Sequence, residues 1–203
     1  MNGAGTRRIL LSETRPTPWK NGGGVTREIA VGAAPGSDLG WGWRFSIAEV
    51  ERDGPFSIFV GVDRIISVIA GEGMDLRHAD GSLTPLEPFQ PVRISGEELL
   101  FGRLRRGPVQ DLNIMILRDR FEATLEIWRG PCAGTVTTGA QACLLLHALD
   151  GSCTARLPGG VRHDLAESET LVQEAAAVCE IRLSAGMRAA VVCVKSRPRE
   201  TGG

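Results

Sequence analysis

The sequence lacks an excess of charge of either sign: 23 basic side chains stand against 24 acidic ones in 203 residues, a net charge of -1. Such balance leaves no long-range field to gather phosphodiester backbones, so nucleic acid is not expected as a partner. The one basic knot, Arg103 with Arg105 and Arg106, reads as a solvated loop. Long apolar runs are lacking too. Arg7 and Arg8 precede only Ile9, Leu10 and Leu11, too short a stretch for a signal peptide or a membrane span. The chain is accordingly expected to be cytoplasmic, with no membrane partner. Its five cysteines, Cys132, Cys143, Cys153, Cys179 and Cys193, form no C-x-x-C pair, and several fall within apolar strand-like runs. Reduced core thiols are the expectation.

Reactive motifs are equally sparse. A divalent ion needs three or four converging nitrogen and oxygen donors, and the three histidines, His78, His147 and His163, stand apart with no H-x-H pair. His147, in an apolar strand, is expected to be a hydrogen-bonded core residue. His78 and His163 sit beside turns, and a site recruiting His78 with Asp80 or Glu72 is the one metal arrangement left open. No G-x-S-x-G elbow occurs, no cysteine has a setting that lowers its pKa, and no G-K-[ST] marks a phosphate loop. No catalytic residue, metal or cofactor is therefore expected.

What is present is a succession of short strands. Val25 to Val31, Trp43 to Val50, Arg64 to Ala70, Leu112 to Leu117, Cys143 to Leu149, Val178 to Leu183 and Ala189 to Lys195 are punctuated by Gly and Pro, and no window sustains a helical apolar stripe. Helix should be scarce. Arg118 to Phe121 and Pro158 to Asp164 look like connections. A weak repeat aligns IISVIAGEG, beginning at Ile65, with CLLLHALDGSC, beginning at Cys143. In each copy an apolar strand ends at a glycine (Gly71, Gly151), a second strand leaves it, and another turn follows at Asp80-Gly81 or Gly159-Gly160, which is hairpin chemistry. The expected fold is all-β: a bicupin of two tandem jelly-roll-like barrel or sandwich units. The units are residues 1–118 and 119–195, with a disordered tail at 196–203.

Three stretches carry candidate chemistry. In Trp19-Lys20-Asn21-Gly22-Gly23-Gly24-Val25-Thr26-Arg27-Glu28, successive glycines let backbone N-H groups converge on an anion while Lys20, Arg27 and Asn21 add charge and hydrogen bonds. A flexible turn before a strand is the competing reading. In Trp43 to Ala48, alternation puts Arg44, Ser46 and Ala48 on one face and Trp43, Phe45 and Ile47 on the other; the polar face either lines a cavity that grips a carboxylate or looks at water. In Val109 to Met115, Asp111, Asn113 and Met115 share a face, and strand interiors seldom hold Asp and Asn without a hydrogen-bonding reason.

In this order, PTPWKNGGGVTREIAV, WRFSIAEVERDGPFSIFVGVDRIISVIAGEGMDL and GPVQDLNIMILR resemble the HutD/Ves family of cupin-fold proteins over Thr17 to Arg118. The resemblance implies a bicupin without the usual metal set, associated with histidine-degradation genes and thought to limit that pathway by sensing an intermediate. It also implies motif positions at Trp19, Lys20, Asn21, Gly22 to Gly24, Thr26, Arg27, Glu28, Arg44, Ser46, Asp53, Gly54, Phe56, Ser57, Arg64, Asp111 and Asn113. Val60 and Leu112 depart from the family pattern, which often has proline and an aromatic there.

Taken together, the expected ligand-binding set is Lys20, Asn21, Gly22, Gly23, Arg27, Arg44, Ser46, Arg64, Asp111 and Asn113. The expected partner is a small anionic metabolite, with urocanate, formiminoglutamate and formylglutamate named by the resemblance alone, and a homodimer is compatible with such a chain. Two rivals stand beside this reading: an enzyme acting on a C-N bond with Glu28 or Asp111 as general base, and a protein interaction module with an idle pocket.

Overall fold

The computed structural model describes residues 5–198. Strands dominate it. In chain order they are β1 (Thr6–Leu10), β2 (Pro16–Pro18), β3 (Gly24–Gly32), β4 (Trp43–Val50), β5 (Gly54–Pro55), β6 (Val62–Ala70), β7 (Met74–Arg77), β8 (Leu83–Leu86), β9 (Val92–Ser95) and β10 (Phe101–Leu104). There follow β11 (Val109–Leu117), β12 (Phe121–Arg129), β13 (Cys132–Thr138), β14 (Ala142–Asp150), β15 (Cys153–Arg156), β16 (Arg162–Leu165), β17 (Glu169–Glu174), β18 (Ala177–Leu183) and β19 (Arg188–Ser196). The only helical turns among the described residues are Leu11–Glu13 and Pro158–Gly160, and no helix is long and apolar enough to cross a membrane.

The chain divides into two compact units. Residues 15–121 form one, with a six-stranded sheet ordered β2-β3-β4-β11-β6-β9 and a four-stranded sheet ordered β5-β10-β7-β8. Ala48, Ile66, Val68 and Ile94 of the first sheet pack against Met74, Leu76 and Leu86 of the second. Residues 5–14 and 122–198 form the other unit, with a five-stranded sheet ordered β1-β17-β14-β19-β12 and a four-stranded sheet ordered β13-β18-β15-β16. β1 therefore does not stay with the residues that follow it: it pairs along its whole length with β17, Arg8 opposite Leu171. Ser196, given to the expected tail, closes β19; residues 199–203 of that tail lie outside the described residues.

Two connections differ from their expected form. The glycine turns after β6 and β14 are not hairpins, because β7 and β15 belong to the other sheet of their unit. Gly71 and Gly151, at φ of 92° and 67°, instead turn the chain from one sheet to the next, a corner that needs left-handed backbone. The true hairpins are the following pairs, β7 with β8 and β15 with β16. The expected connection at Pro158 to Asp164 also holds strand β16, whose Leu165 enters the core while Arg162 and Asp164 face out.

In the second unit the two sheets meet in an apolar cluster: Leu144, Leu146, Leu171 and Val191 meet Cys153, Cys179, Ile181 and Leu183. Burial pushes the Cys153 thiol up to about 12 and Cys179 to about 11, so these thiols stay protonated and inert, as expected. His147 is a buried histidine whose Nδ1 meets Thr170 Oγ1 at 2.8 Å, and burial pushes it down to about 4. The unfolded chain, titrating near 6.5, takes up this proton first, so stability falls as pH drops from the unfolded toward the folded value. His147→Asn is expected to flatten this acid limb, removing on the order of 3 kcal/mol of pH dependence. Urea unfolding at a series of pH values checks it; an unaltered slope would refute the assignment.

Candidate functional site

Strand register decides which side chains meet. Ser46 lies opposite Glu28 on one side and Asn113 on the other, Arg44 lies opposite Met115, and Met115 in turn opposite Arg64. Asp111 lies opposite Ala48 and Val68, beside a register shift between Gln110 and Asp111. By alternation, Arg44, Ser46, Arg64, Asp111 and Asn113 share a face with Ala48, Ile66, Val68 and Ile94, the face that packs on the four-stranded sheet. The polar face of β4 and β11 thus turns into the unit's interior and not toward water. Ser46, Arg64, Asp111 and Asn113 are buried and Arg44 is partly buried. The apolar face, with Phe45, Ile47, Leu112 and Ile114, is buried as well.

Charges held this way need compensation, and here it is incomplete. The Arg64 guanidinium stands 5.0 Å from the centroid of the Phe56 ring, a cation–π contact. Arg44 Nε lies 3.2 Å from Glu28 Oε2, close enough for an ion pair yet without hydrogen-bond geometry. Three buried atoms, Arg44 Nε, Arg64 Nε and Asn113 Oδ1, have no hydrogen-bond partner among the described residues. Native proteins seldom leave such groups unmatched. Burial pushes the Asp111 carboxyl up to about 7 against the pull of the Arg64 charge. It likewise pushes Arg64 down to about 10, with Asp111 opposing that shift and Arg44 adding to it. Two donors, an acceptor and a carboxyl group at the edge of ionisation therefore face one interior.

The glycine loop does different work. Gly22 N-H donates to Trp19 O at 3.0 Å, and Gly23 N-H donates to Asn21 Oδ1 at 3.0 Å, so these amides are engaged within their own turn and do not converge on an anion. Gly24 enters β3, where a Cβ would stand 2.2 Å from Glu49 O; the close approach of two backbones requires glycine there. Lys20 and Asn21 are exposed. Arg27, opposite Ile47, falls on the other face of the sheet from Arg44, and its Nε lies 3.4 Å from Glu49 Oε1. The structure thus gathers five of the expected residues, Arg44, Ser46, Arg64, Asp111 and Asn113, and leaves Lys20, Asn21, Gly22, Gly23 and Arg27 outside that group. Phe56 is one of the motif positions that the resemblance implied, though it stood outside the expected ligand-binding set. No local pattern marks it, because its place beneath Arg64 depends on the loop that its N-H pins to Leu100 O at 2.9 Å.

A divalent metal does not suit this donor set, since two guanidiniums face the same interior and repel a cation. The His78 alternative fails on its own partners: Nδ1 lies 3.2 Å from Glu98 Oε2 and Nε2 lies 2.8 Å from Thr84 Oγ1, while Asp80 Oδ1 accepts from Ser82.

An uncharacterised 21.2 kDa protein in the hutC 3′ region of Pseudomonas putida is 42% identical over 124 residues, and Protein Ves of Citrobacter koseri is 36% identical over 110. These alignments cover 61% and 54% of the chain, which spans 65% and 56% of the two relatives. Two solved structures match 96% of the chain and the whole of their own: a conserved protein of unknown function from Pseudomonas aeruginosa PAO1, with 31% identity and a TM-score of 0.85, and HutD from Pseudomonas fluorescens SBW25, solved in a formate condition, with 28% identity and a TM-score of 0.80. A cupin 2 conserved barrel domain protein from Leptotrichia buccalis, at 10% identity and a TM-score of 0.60 over 94% of the chain and 96% of its own, shares the fold. The HutD family model matches residues 11–192, most of the chain, and the chain belongs to the HutD family.

Proposed function

We propose that this protein binds a small carboxylated metabolite, an intermediate of histidine degradation, inside the unit of residues 15–121, releases it unchanged, and thereby reports on histidine utilisation. The two units then form a tandem cupin pair in which one interior is reserved for the ligand and the other is filled. The observation that carries the reading is the pair of unmatched buried donors, Arg44 Nε and Arg64 Nε, beside the unmatched acceptor Asn113 Oδ1. A carboxylate satisfies guanidinium groups with charge-assisted hydrogen bonds, and an N-H or O-H elsewhere on the ligand satisfies Asn113. The hutC-region relative and the HutD neighbour supply the metabolic context.

One observation favours the enzymatic alternative: a carboxyl group near 7 suits general base catalysis. Both readings are separated by offering urocanate, formiminoglutamate and formylglutamate to the purified protein. A binder at about 100 times the dissociation constant gains ~2.7 kcal/mol of stability, a rise of several degrees in melting temperature, with the ligand recovered intact by mass spectrometry. Conversion of the ligand would establish the enzyme, and an unmoved melting temperature with every acid would remove the metabolite-binding reading.

A further inference from the structure

The outer face of the sheet β13-β18-β15-β16 carries a second group of charges, in the unit of residues 5–14 and 122–198. Register builds it as a grid. Arg156 lies directly opposite Arg162 on one side and Glu180 on the other, and the next row sets Thr154 between Asp164 and Arg182. These side chains, Asp164 apart, line a depression of about 310 Å³.

Charge pairing within the grid is uneven. Arg162 directs its fork at Asp164, with Nε to Oδ1 at 2.9 Å and Nη2 to Oδ1 at 2.8 Å, and Thr154 Oγ1 donates to the same carboxylate at 2.8 Å. These bonds hold Asp164 below the usual carboxylate range. Asp164 is thereby engaged by Arg162 and Thr154, while Arg156 and Arg182 have neither a hydrogen bond nor an ion pair among the described residues, although Glu180 stands opposite Arg156. Like charges directly opposite on neighbouring strands destabilise a sheet, so the Arg156–Arg162 pair lowers stability unless something negative lies between them. Elsewhere Arg7, Arg8, Arg93, Arg105, Arg118 and Arg188 each meet a carboxylate, while Arg52, Arg103 and Arg106 have no ion pair among the described residues but lie outside this depression.

We propose that this depression is a binding site for a small dianionic oxyanion, gripped by the forks of Arg156 and Arg182 with Arg162 at its edge. Guanidinium groups match phosphate and carboxylate oxygens in a bidentate way. Glu180, which lines the depression opposite Arg156, and Asp164 beside it restrict the site to compact anions, because an extended polyanion would lie across both carboxylates. The site is separate from the interior group around Arg64, with no residue in common.

The test titrates inorganic phosphate and succinate into the full-length protein against sodium chloride of equal ionic strength, following the melting temperature and calorimetric heat. A saturable rise of several degrees with either anion is expected, phosphate pointing to a phosphate ester as the natural ligand and succinate to a dicarboxylate. The double variant R156A/R182A should bind about tenfold more weakly or worse, whereas R27A, at a residue outside both groups, keeps the response in full. In anion-free buffer Arg156→Ala should melt at the same temperature or higher, since it removes a like-charge contact; a purely structural Arg156 would give a lower one. No saturable response to either anion, an equal response in the double variant, or a marked loss of stability in R156A without anion would overturn the site.

Discussion

Replacing Arg64 with methionine is expected to abolish the response to carboxylated ligands while leaving the fold intact. The side chain is buried, its Nε is unmatched, and its guanidinium rests on Phe56, so without a ligand it is a desolvated charge with incomplete compensation. Replacing such a group with an apolar one of similar volume is often neutral or stabilising. At about pH 5, where the nearby Asp111 carboxyl is largely neutral, the variant should therefore unfold at a denaturant concentration no lower than the parent. Binding behaves oppositely. Removing one side of a buried charged contact costs roughly 2–5 kcal/mol, about thirtyfold in affinity at the least. Arg64→Lys retains charge without the planar fork and should fall between. Arg27→Ala is the control, because Arg27 lies on the opposite face beside Glu49; it should bind as the parent does. Calorimetry with the best acid of the histidine series decides the matter, and equal affinity in R64M and the parent would remove the interior from the binding reading.

The contrast between Arg27 and Arg44 shows what local sequence can express. Period-two alternation in β4 and β11 correctly separated Arg44, Ser46, Asp111 and Asn113 from their apolar neighbours, and the strand from Trp43 to Val50 has the expected limits. Alternation fixes which residues share a face but not what the face meets. That depends on the second sheet, whose Met74, Leu76 and Leu86 arrive from β7 and β8. The run of three glycines suggested an anion cradle because composition shows available amides; only hydrogen bonding shows that Trp19 O and Asn21 Oδ1 already engage two of them. Arg64 had a usable local signal, a charge on the stripe that also carries Ile66 and Val68, though family resemblance pointed to it first. β1 shows the long-range limit. Nothing near Thr6 to Leu10 reveals that its partner lies at Glu169 to Gln173, because strand pairing over that separation is set by the whole fold.

Asp111 gives the other large expected effect, and its sign is opposite to that of His147. With the folded carboxyl held at about 7 and the unfolded one near its ordinary value, the native state keeps a proton that the unfolded chain has lost. Stability therefore declines as pH rises through the interval between those values. Asp111→Asn, which keeps the shape and removes the titration, should lose this decline. The variant should gain on the parent by on the order of 3 kcal/mol between about pH 5 and about pH 8. Ligand affinity should follow the same proton. An ionised Asp111 faces the same interior as the bound carboxylate and repels it, while a neutral one can donate a hydrogen bond. Affinity in the parent should thus weaken as pH passes about 7, and in Asp111→Asn it should stay level. Parallel denaturation and calorimetric series over that range test both limbs. Identical pH profiles for parent and variant would show that the Asp111 carboxyl is not held protonated inside the unit, and the electrostatic account of the site would fail with it.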